Sequence, residues 1–252
     1  MGLQDQGARQ PVIETARSLF RDMLVGSDYL EKSVEITCKA LTEQEAIGNP
    51  LHDDYPIQKG NEKLLEATFD GFRGQAFSDA YLNYSGTIKD ILSLDLNTNA
   101  KRAIFISTLN AVLAHMGTIK EAVHCKDEQL LECRDCFKRF VDENFQAYKK
   151  VLLVGLQPRL LSVLAETKDT RACDLDPENI GMEKSGVTIQ GPDAFAENAS
   201  WADVVVATGS TVGNGTIDGI LKVAPEAWFF GVTIRGVATL MKLNQFCYLL
   251  NS

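Results

Sequence analysis

From Lys150 onward, short apolar runs alternate with helix-compatible segments, and this alternation constrains the fold more than any other feature of the chain. "VLLVGL", "RACDLD", "GVTIQG", "ADVVVATGS" and "AWFFGVTI" read as strands. "PRLLSVLAET", "DAFAENAS", "GTIDGILKV" and "RGVATLMKL" lie between or after them and read as helices. Strands alternating with helices specify a parallel sheet covered on both faces, a Rossmann-like α/β unit.

The first part of the chain has another pattern. "PVIETARSLFRDMLV" carries Val12, Ala16, Leu19, Phe20, Met23 and Leu24 at helical spacing, with Pro11 suited to a first turn. "SVEITCKAL" alternates as a strand does, and residues 48–60 are rich in loop formers. "NEKLLEATFDGF", "TIKDILSLDL", "AKRAIFISTLNAVLAHMG" and "DEQLLECRDCFKRFVDENFQAY" read as helices. We therefore expect two units in a chain of 252 residues: an α+β unit over 1–148 and the Rossmann-like unit over 149–252.

The formal net charge is -9, which argues against a protein whose main task is gripping nucleic acid or an anionic membrane. No stretch is long and apolar enough to span a bilayer, and "MGLQDQGARQP" lacks a secretory apolar run, so a cytoplasmic location is expected. In that compartment six cysteines are free, ligating or buried rather than disulfide-paired.

Ligands of open α/β sheets bind beyond the carboxyl ends of the strands, which singles out four loops. "GLQPR" holds Gly155 without the other glycines of a dinucleotide fingerprint. "DLDPENIG" places Asp174 and Asp176 about where nucleotide folds keep a ribose-binding acid, although Asp is also ordinary turn chemistry there. "TGSTVGNGT" (208–216) combines glycines with Thr208, Ser210, Thr211, Asn214 and Thr216 ahead of a helix, which suits an anion or a plain capped turn. "GVTIRGVA" adds Thr233, Gly236 and Arg235; the arginine could face the same anion or solvent.

"HCKDEQLLECRDC" poses a separate question, because one histidine and three cysteines fall within thirteen residues. His124 and Cys125 precede a helix, where a thiol leans toward thiolate, and N/S donors suit soft or borderline metals. Cys133 and Cys136 are equally explained as small apolar side chains beside the stripe Leu130, Phe137, Phe140, Val141 and Phe145. Asn110 is polar within an apolar helical run and must be hydrogen-bonded, either to a loop or to a ligand. His115 reads as a packing residue and His52 as a solvated loop residue.

Several phrases, "GQAFSD", "KRAIFISTLNAVL", "HCKDE", "VGLQP", "DLDPENIG", "ADVVVATGSTVGNGT" and "GVTIRGVATL…FC", resemble an uncharacterised prokaryotic family labelled putative heavy-metal chelation domain. The resemblance runs from about Ser33 to Cys247 with the motifs in order. It implies an N-terminal domain like that of enolase, a Rossmann-like C-terminal domain and a site at their junction. Carried over with it are Asn110, His124, Cys125, Cys133, Asp176, Asn179, Thr208, Gly209, Ser210, Asn214, Gly215, Thr216, Thr233 and Cys247; Cys136 is not among them.

The expectation is a protein that binds an anionic or metal-carrying small molecule between the domains. Asn110, Asp176, Asn179, Thr208–Thr211, Asn214–Thr216 and Thr233 would hold the guest, and His124, Cys125 and Cys133 a transition-metal ion. Neither nucleic acid nor a membrane is an expected partner, and a homo-oligomer is compatible with the sequence. The alternative is a Rossmann-type enzyme using S-adenosylmethionine or a dinucleotide. No Ser–His–Asp order, Walker lysine or His-Glu-x-x-His marks a catalytic set.

Overall fold

The computed structural model describes residues 11–30, 36–51, 62–120 and 122–251. Helix α1 (Val12–Leu24) turns Val12, Ile13, Ala16, Phe20 and Leu24 inward, while Leu19 and Met23 stay partly exposed. Strand β1 (Ile36–Ala40) leads into the short α2 (Glu43–Ile47), whose first turn is closed by a Thr42–Glu45 capping box. The expected loop lies largely outside the described residues, and His52 lies there too.

The segment expected as a helix, "NEKLLEATFDGF", is instead a hairpin. β2 (Lys63–Phe69) pairs antiparallel with β3 (Phe72–Ser78) through the turn Asp70–Gly71. Both turn residues have positive φ, 47° and 83°. Asp-Gly is the dipeptide that such a two-residue turn requires, and it decides the segment against the helix-like spacing of Leu64, Leu65 and Phe69. With β4 (Tyr84–Gly86) these strands form a four-stranded sheet in the order β3-β2-β1-β4.

Helix α3 (Ile88–Leu92) precedes α4 (Asn99–His115), the helix about which the molecule is arranged. Every residue of α4 from Ala103 to Ala114 is buried. A helix apolar all round must be covered on all sides. β2 and β3 lie on one side of α4, and two short helices of the second sheet unit, α8 (Ser210–Asn214) and α10 (Arg235–Met241), lie on the other. Gly74 lets β3 sit directly on α4, because a Cβ there would fall 2.2 Å from the Ala111 nitrogen and 2.3 Å from the Ser107 carbonyl.

Asn110 joins the layers from within α4. Its Nδ2 donates to the Gln75 carbonyl (2.9 Å) and the Val232 carbonyl (3.2 Å), and its Oδ1 accepts from the Gly236 amide (2.8 Å). Of the two readings of this amide, it ties loops together. His115 packs, with Tyr29 Oη at 2.8 Å from Nδ1 and rings of Phe69 and Phe72 edge-on to it.

After α5 (Gln129–Asn144) come β5 (Lys150–Val154), α6 (Pro158–Thr167), β6 (Asp169–Cys173), β7 (Glu183–Lys184) and β8 (Val187–Gln190). α7 (Phe195–Trp201), β9 (Val204–Thr208), α8, α9 (Ile217–Val223), β10 (Trp228–Phe230), α10, β11 (Asn244–Phe246) and α11 (Tyr248–Asn251) complete the chain. The sheet order is β11-β10-β9-β5-β6-β8-β7. All pairings are parallel except β7 with β8. Without the two-residue β7 this is the doubly wound order of Rossmann folds, and the winding reverses between β5 and β9. Val205 and Ala207 face the core shared with α4, whereas Val204 and Val206 face α5 and α6. The chain is thus mixed α/β with a parallel sheet, as expected. The strands β7 and β11 had no distinct signature in the sequence.

Asn110→Ala leaves the Gly236 amide and two carbonyls buried without their partner. We expect a loss of about 3 kcal/mol in urea denaturation; a loss below about 1 kcal/mol would mean that the clamp is dispensable.

Candidate functional site

A cavity of about 900 Å³ opens at the reversal between β5 and β9. Its floor is made by strand ends of the parallel sheet: Gly155–Gln157 after β5, Asp174–Asn179 after β6, Thr208–Thr211 and Asn214–Thr216 after β9, and Gly231–Thr233 after β10. Its roof comes from the first half of the chain: Ile47, Glu62, Phe77–Asp79 and Val123–Cys125, with Cys133 on α5 and Cys247 at the side. Every residue expected in the site lines this cavity except Asn110, which stands behind the wall as the clamp.

The segment carrying His124 and Cys125 is hung on the edge of β3. The Gln75 amide donates to the Ala122 carbonyl (2.9 Å), and Gln75 Oε1 accepts from the His124 amide (2.6 Å). The Gln75 carbonyl is also the one that Asn110 holds. The His124 ring lies edge-on to Phe77, with centroids 5.1 Å apart. Burial pushes its pKa down to about 4, so the imidazole is neutral near pH 7. Its Nδ1 is buried and makes no hydrogen bond.

The thiols divide in two. Cys136 is 5% exposed and packs with Phe137, Phe140 and Phe145, which fits the apolar reading. Cys133, one turn earlier, faces the cavity. A hydrogen bond from Cys133 and the nearby Arg235 guanidinium draw the Cys125 thiol below its usual range. The same hydrogen bond and burial push Cys133 up. Arg235 itself is 1% exposed and serves neither of its expected roles: it is outside the cavity lining and out of solvent, beside Cys125 and Cys247.

The 208–216 loop also differs from expectation. Residues 210–214 are already helical, and Gly215, with φ of 81°, breaks the chain before α9 begins. The backbone donors are largely spent: the Gly209 amide on the Phe230 carbonyl (2.8 Å), Val212 on Gly209 (3.2 Å), Thr216 on Asn214 Oδ1 (3.0 Å). The Ser210 amide, 3.4 Å from Thr208 Oγ1, keeps a weak partner. Thr211 Oγ1 donates to the Thr208 carbonyl, and Thr233 Oγ1 accepts from the Phe77 amide. Arg102, near Gly215, holds the Gly213 carbonyl from behind (2.7 Å).

The charge of the cavity is negative. Glu62, Asp79, Asp174, Asp176 and Glu178 are its ionic side chains, and no Lys or Arg appears among the described lining residues. Glu62, which sequence reasoning missed, has its pKa raised to about 7 by burial and by Asp174, Asp176 and Asp79. Asp174 accepts from the Leu156 amide (2.5 Å) and the Asp176 amide (2.7 Å), binding the β5 and β6 loops together. Asp176 accepts from the Glu178 amide (2.9 Å). No three His, Cys, Asp or Glu side chains among the described residues are already placed around a metal position.

Residues 140–241 match the model of the DUF364 family, described as putative heavy-metal chelation. Among solved structures, a DUF364 protein from Desulfitobacterium hafniense is 13% identical with a TM-score of 0.50, covering 90% of this chain and 78% of its own. One from Pyrococcus horikoshii is 12% identical with a TM-score of 0.45, covering 87% and 76%. No curated protein matches the chain significantly. No helix among the described residues is long and apolar enough to cross a membrane.

His124 takes up a proton below pH 6.5 in the unfolded chain but only near pH 4 in the folded one. Its contribution to stability is therefore complete above pH 6.5 and is lost as pH falls toward 4. Between about pH 7.5 and 4.5, wild type should lose about 2 kcal/mol relative to His124→Gln in denaturant midpoints; a constant difference would contradict the burial of a neutral ring. The model matched over residues 140–241 is that of the putative heavy-metal chelation family, the one whose motifs the sequence resembles.

Proposed function

We propose that this protein binds a metal-carrying small molecule in the cavity between the two sheet units, residues 1–148 supplying the roof and 149–252 the floor. The observation that carries this reading is the cavity itself: about 900 Å³, lined by both cysteines and carboxylates. That volume suits a small organic guest and far exceeds a bare ion. Thiolates and a neutral imidazole favour soft or borderline metals, and carboxylates favour a cationic or hard-metal portion of the guest.

Cys125, Cys133, Cys173 and Cys247 line the cavity and are the sulfur donors on offer, with the imidazole of His124 next to Cys125. The absence of a preset three-ligand group among the described residues fits a metal that arrives with ligands of its own. The anionic half of the original expectation has less support, since the loop amides are mostly engaged and the ionic lining is acidic. Asp176 and the short Gly155 loop would serve the nucleotide-enzyme alternative, but no specific feature of the cavity favours it. Chelated metal is cargo here, not a resident cofactor.

Two measurements test this. Under anaerobic conditions, Cu(I) or Cd(II) presented as a thiol or amine complex should raise Tm by several degrees, about 4–8 °C for 2 kcal/mol of binding. The rise should vanish in Cys125→Ser with Cys133→Ser; stabilisation by S-adenosylmethionine or NAD instead, with none by metal, would overturn the reading. Second, a cation near Glu62 favours its carboxylate and so expels the proton it holds at about pH 7. Binding enthalpy near that pH should depend on the buffer's ionisation enthalpy, showing proton release that Glu62→Gln reduces; proton uptake would contradict a cationic guest.

A further inference from the structure

The carboxylates of the cavity are not equivalent. One oxygen of Asp174 accepts from the Leu156 amide and the other from the Asp176 amide (2.7 Å). Both oxygens of Asp79 accept from Asn99 Nδ2 (2.7 and 2.9 Å), and Asn99 Oδ1 accepts from Arg102. Asp176 takes the Glu178 amide, and Glu178 itself is exposed. Glu62 differs from all four. It lines the cavity with its carboxyl desolvated, and it has no hydrogen bond or ion pair among the described residues.

A carboxylate stripped of water is unfavourable unless a donor or a cation reaches it. Among the described lining residues no Lys or Arg does so, which leaves that part to a guest. A hard divalent ion needs several oxygens brought together. The oxygens of Asp174 and Asp79 are already engaged, and no three His, Cys, Asp or Glu side chains among the described residues converge on one position. One unpaired carboxylate answers a single positive charge. The walls beside it are hydrocarbon: the amide that Asp174 holds is that of Leu156, and Leu160, Leu175 and Phe195 line the same cavity. Mostly apolar walls with a few placed polar groups fit an organic molecule better than a bare ion.

We propose that the cavity takes an organic ammonium ion, whose N–H groups donate to Glu62 and whose hydrocarbon part lies against Leu156, Leu160, Leu175 and Phe195. This rests on the reading of the cavity as the binding site and names the class of the guest's organic part; it needs neither the thiols nor a metal. Burial and the charges of Asp174, Asp176 and Asp79 hold the Glu62 pKa at about 7, the state that a neighbouring ammonium relieves.

The test uses the full chain, freed of metal with a chelator and titrated calorimetrically at about pH 8, where a primary amine is protonated and Glu62 ionised. Three probes share one skeleton: 2-phenylethylamine, 2-phenylethanol and 3-phenylpropanoate. The amine should bind about tenfold more tightly than the alcohol, the worth of a hydrogen bond to a charged group, and the carboxylate should not displace it. Glu62→Gln should abolish that preference while the alcohol still binds, which excludes misfolding as the cause. Phe195→Ala should weaken amine and alcohol alike. Equal affinity for amine and alcohol, or an amine affinity that Glu62→Gln leaves unchanged, overturns the proposal; so does Mg²⁺ or Ca²⁺ that occupies Glu62 and excludes the amine. A protein that holds metal complexes through Cys125 and Cys133 yet ignores the amine would refute this inference alone. Amine binding in a protein that takes up no metal complex would refute the metal reading and leave this one intact.

Discussion

A single buried amide holds the architecture in register. Asn110 sits in the middle of a helix that is buried on every side, and its three hydrogen bonds reach β3, the loop after β10 and the start of α10. In an apolar interior each of those groups would cost about 1–3 kcal/mol if left unpaired, so the partners have little freedom to shift independently. The glycines around it serve the same constraint by removing bulk: a Cβ on Gly236 would lie 2.6 Å from Asn110 Oδ1. The Gln75 carbonyl that Asn110 fixes belongs to the residue whose side chain and amide hold Ala122 and His124. The position of Cys125, next to His124, therefore follows from the position of the helix.

The cavity at the winding reversal inherits its chemistry from both halves. The parallel sheet contributes loops whose polar groups are mostly satisfied by one another, as with Asp174 joining the β5 and β6 ends. Such loops form a stiff floor and offer few free donors to an anion. The roof contributes the reactive groups: Cys125, the neutral His124 and the proton-holding Glu62. Positive charge is kept behind the walls, on Arg102 and Arg235. Such a division of charge and sulfur suits a metal-bearing guest.

The parallel sheet was legible because its strands are short apolar runs separated by helical segments of ordinary length, a pattern that only burial on both faces produces. The β2–β3 hairpin was not, because Leu64, Leu65 and Phe69 mimic helical spacing and a single Asp-Gly dipeptide decides the issue. The 208–216 loop lines the cavity, and several of its amides are engaged around a turn of helix that glycine-rich composition hides. Asn110 was conspicuous as a polar residue in an apolar run; its three partners lie 35, 122 and 126 positions away, which no local pattern encodes. The split between Cys133 and Cys136 likewise depends on which side of α5 meets the cavity. Glu62 carried no local signal, since its perturbed proton depends on Asp174 and Asp176, more than a hundred residues distant.

X-ray absorption at the metal edge, on protein loaded with a Cu(I) or Cd(II) complex under anaerobic conditions, addresses the binding reading at its centre. Thiolate sulfur should appear in the first coordination shell, as soft metals prefer, and this sulfur shell should disappear when Cys125 and Cys133 are both replaced by serine. A first shell of oxygen and nitrogen alone, or a spectrum identical with and without the two cysteines, would contradict it.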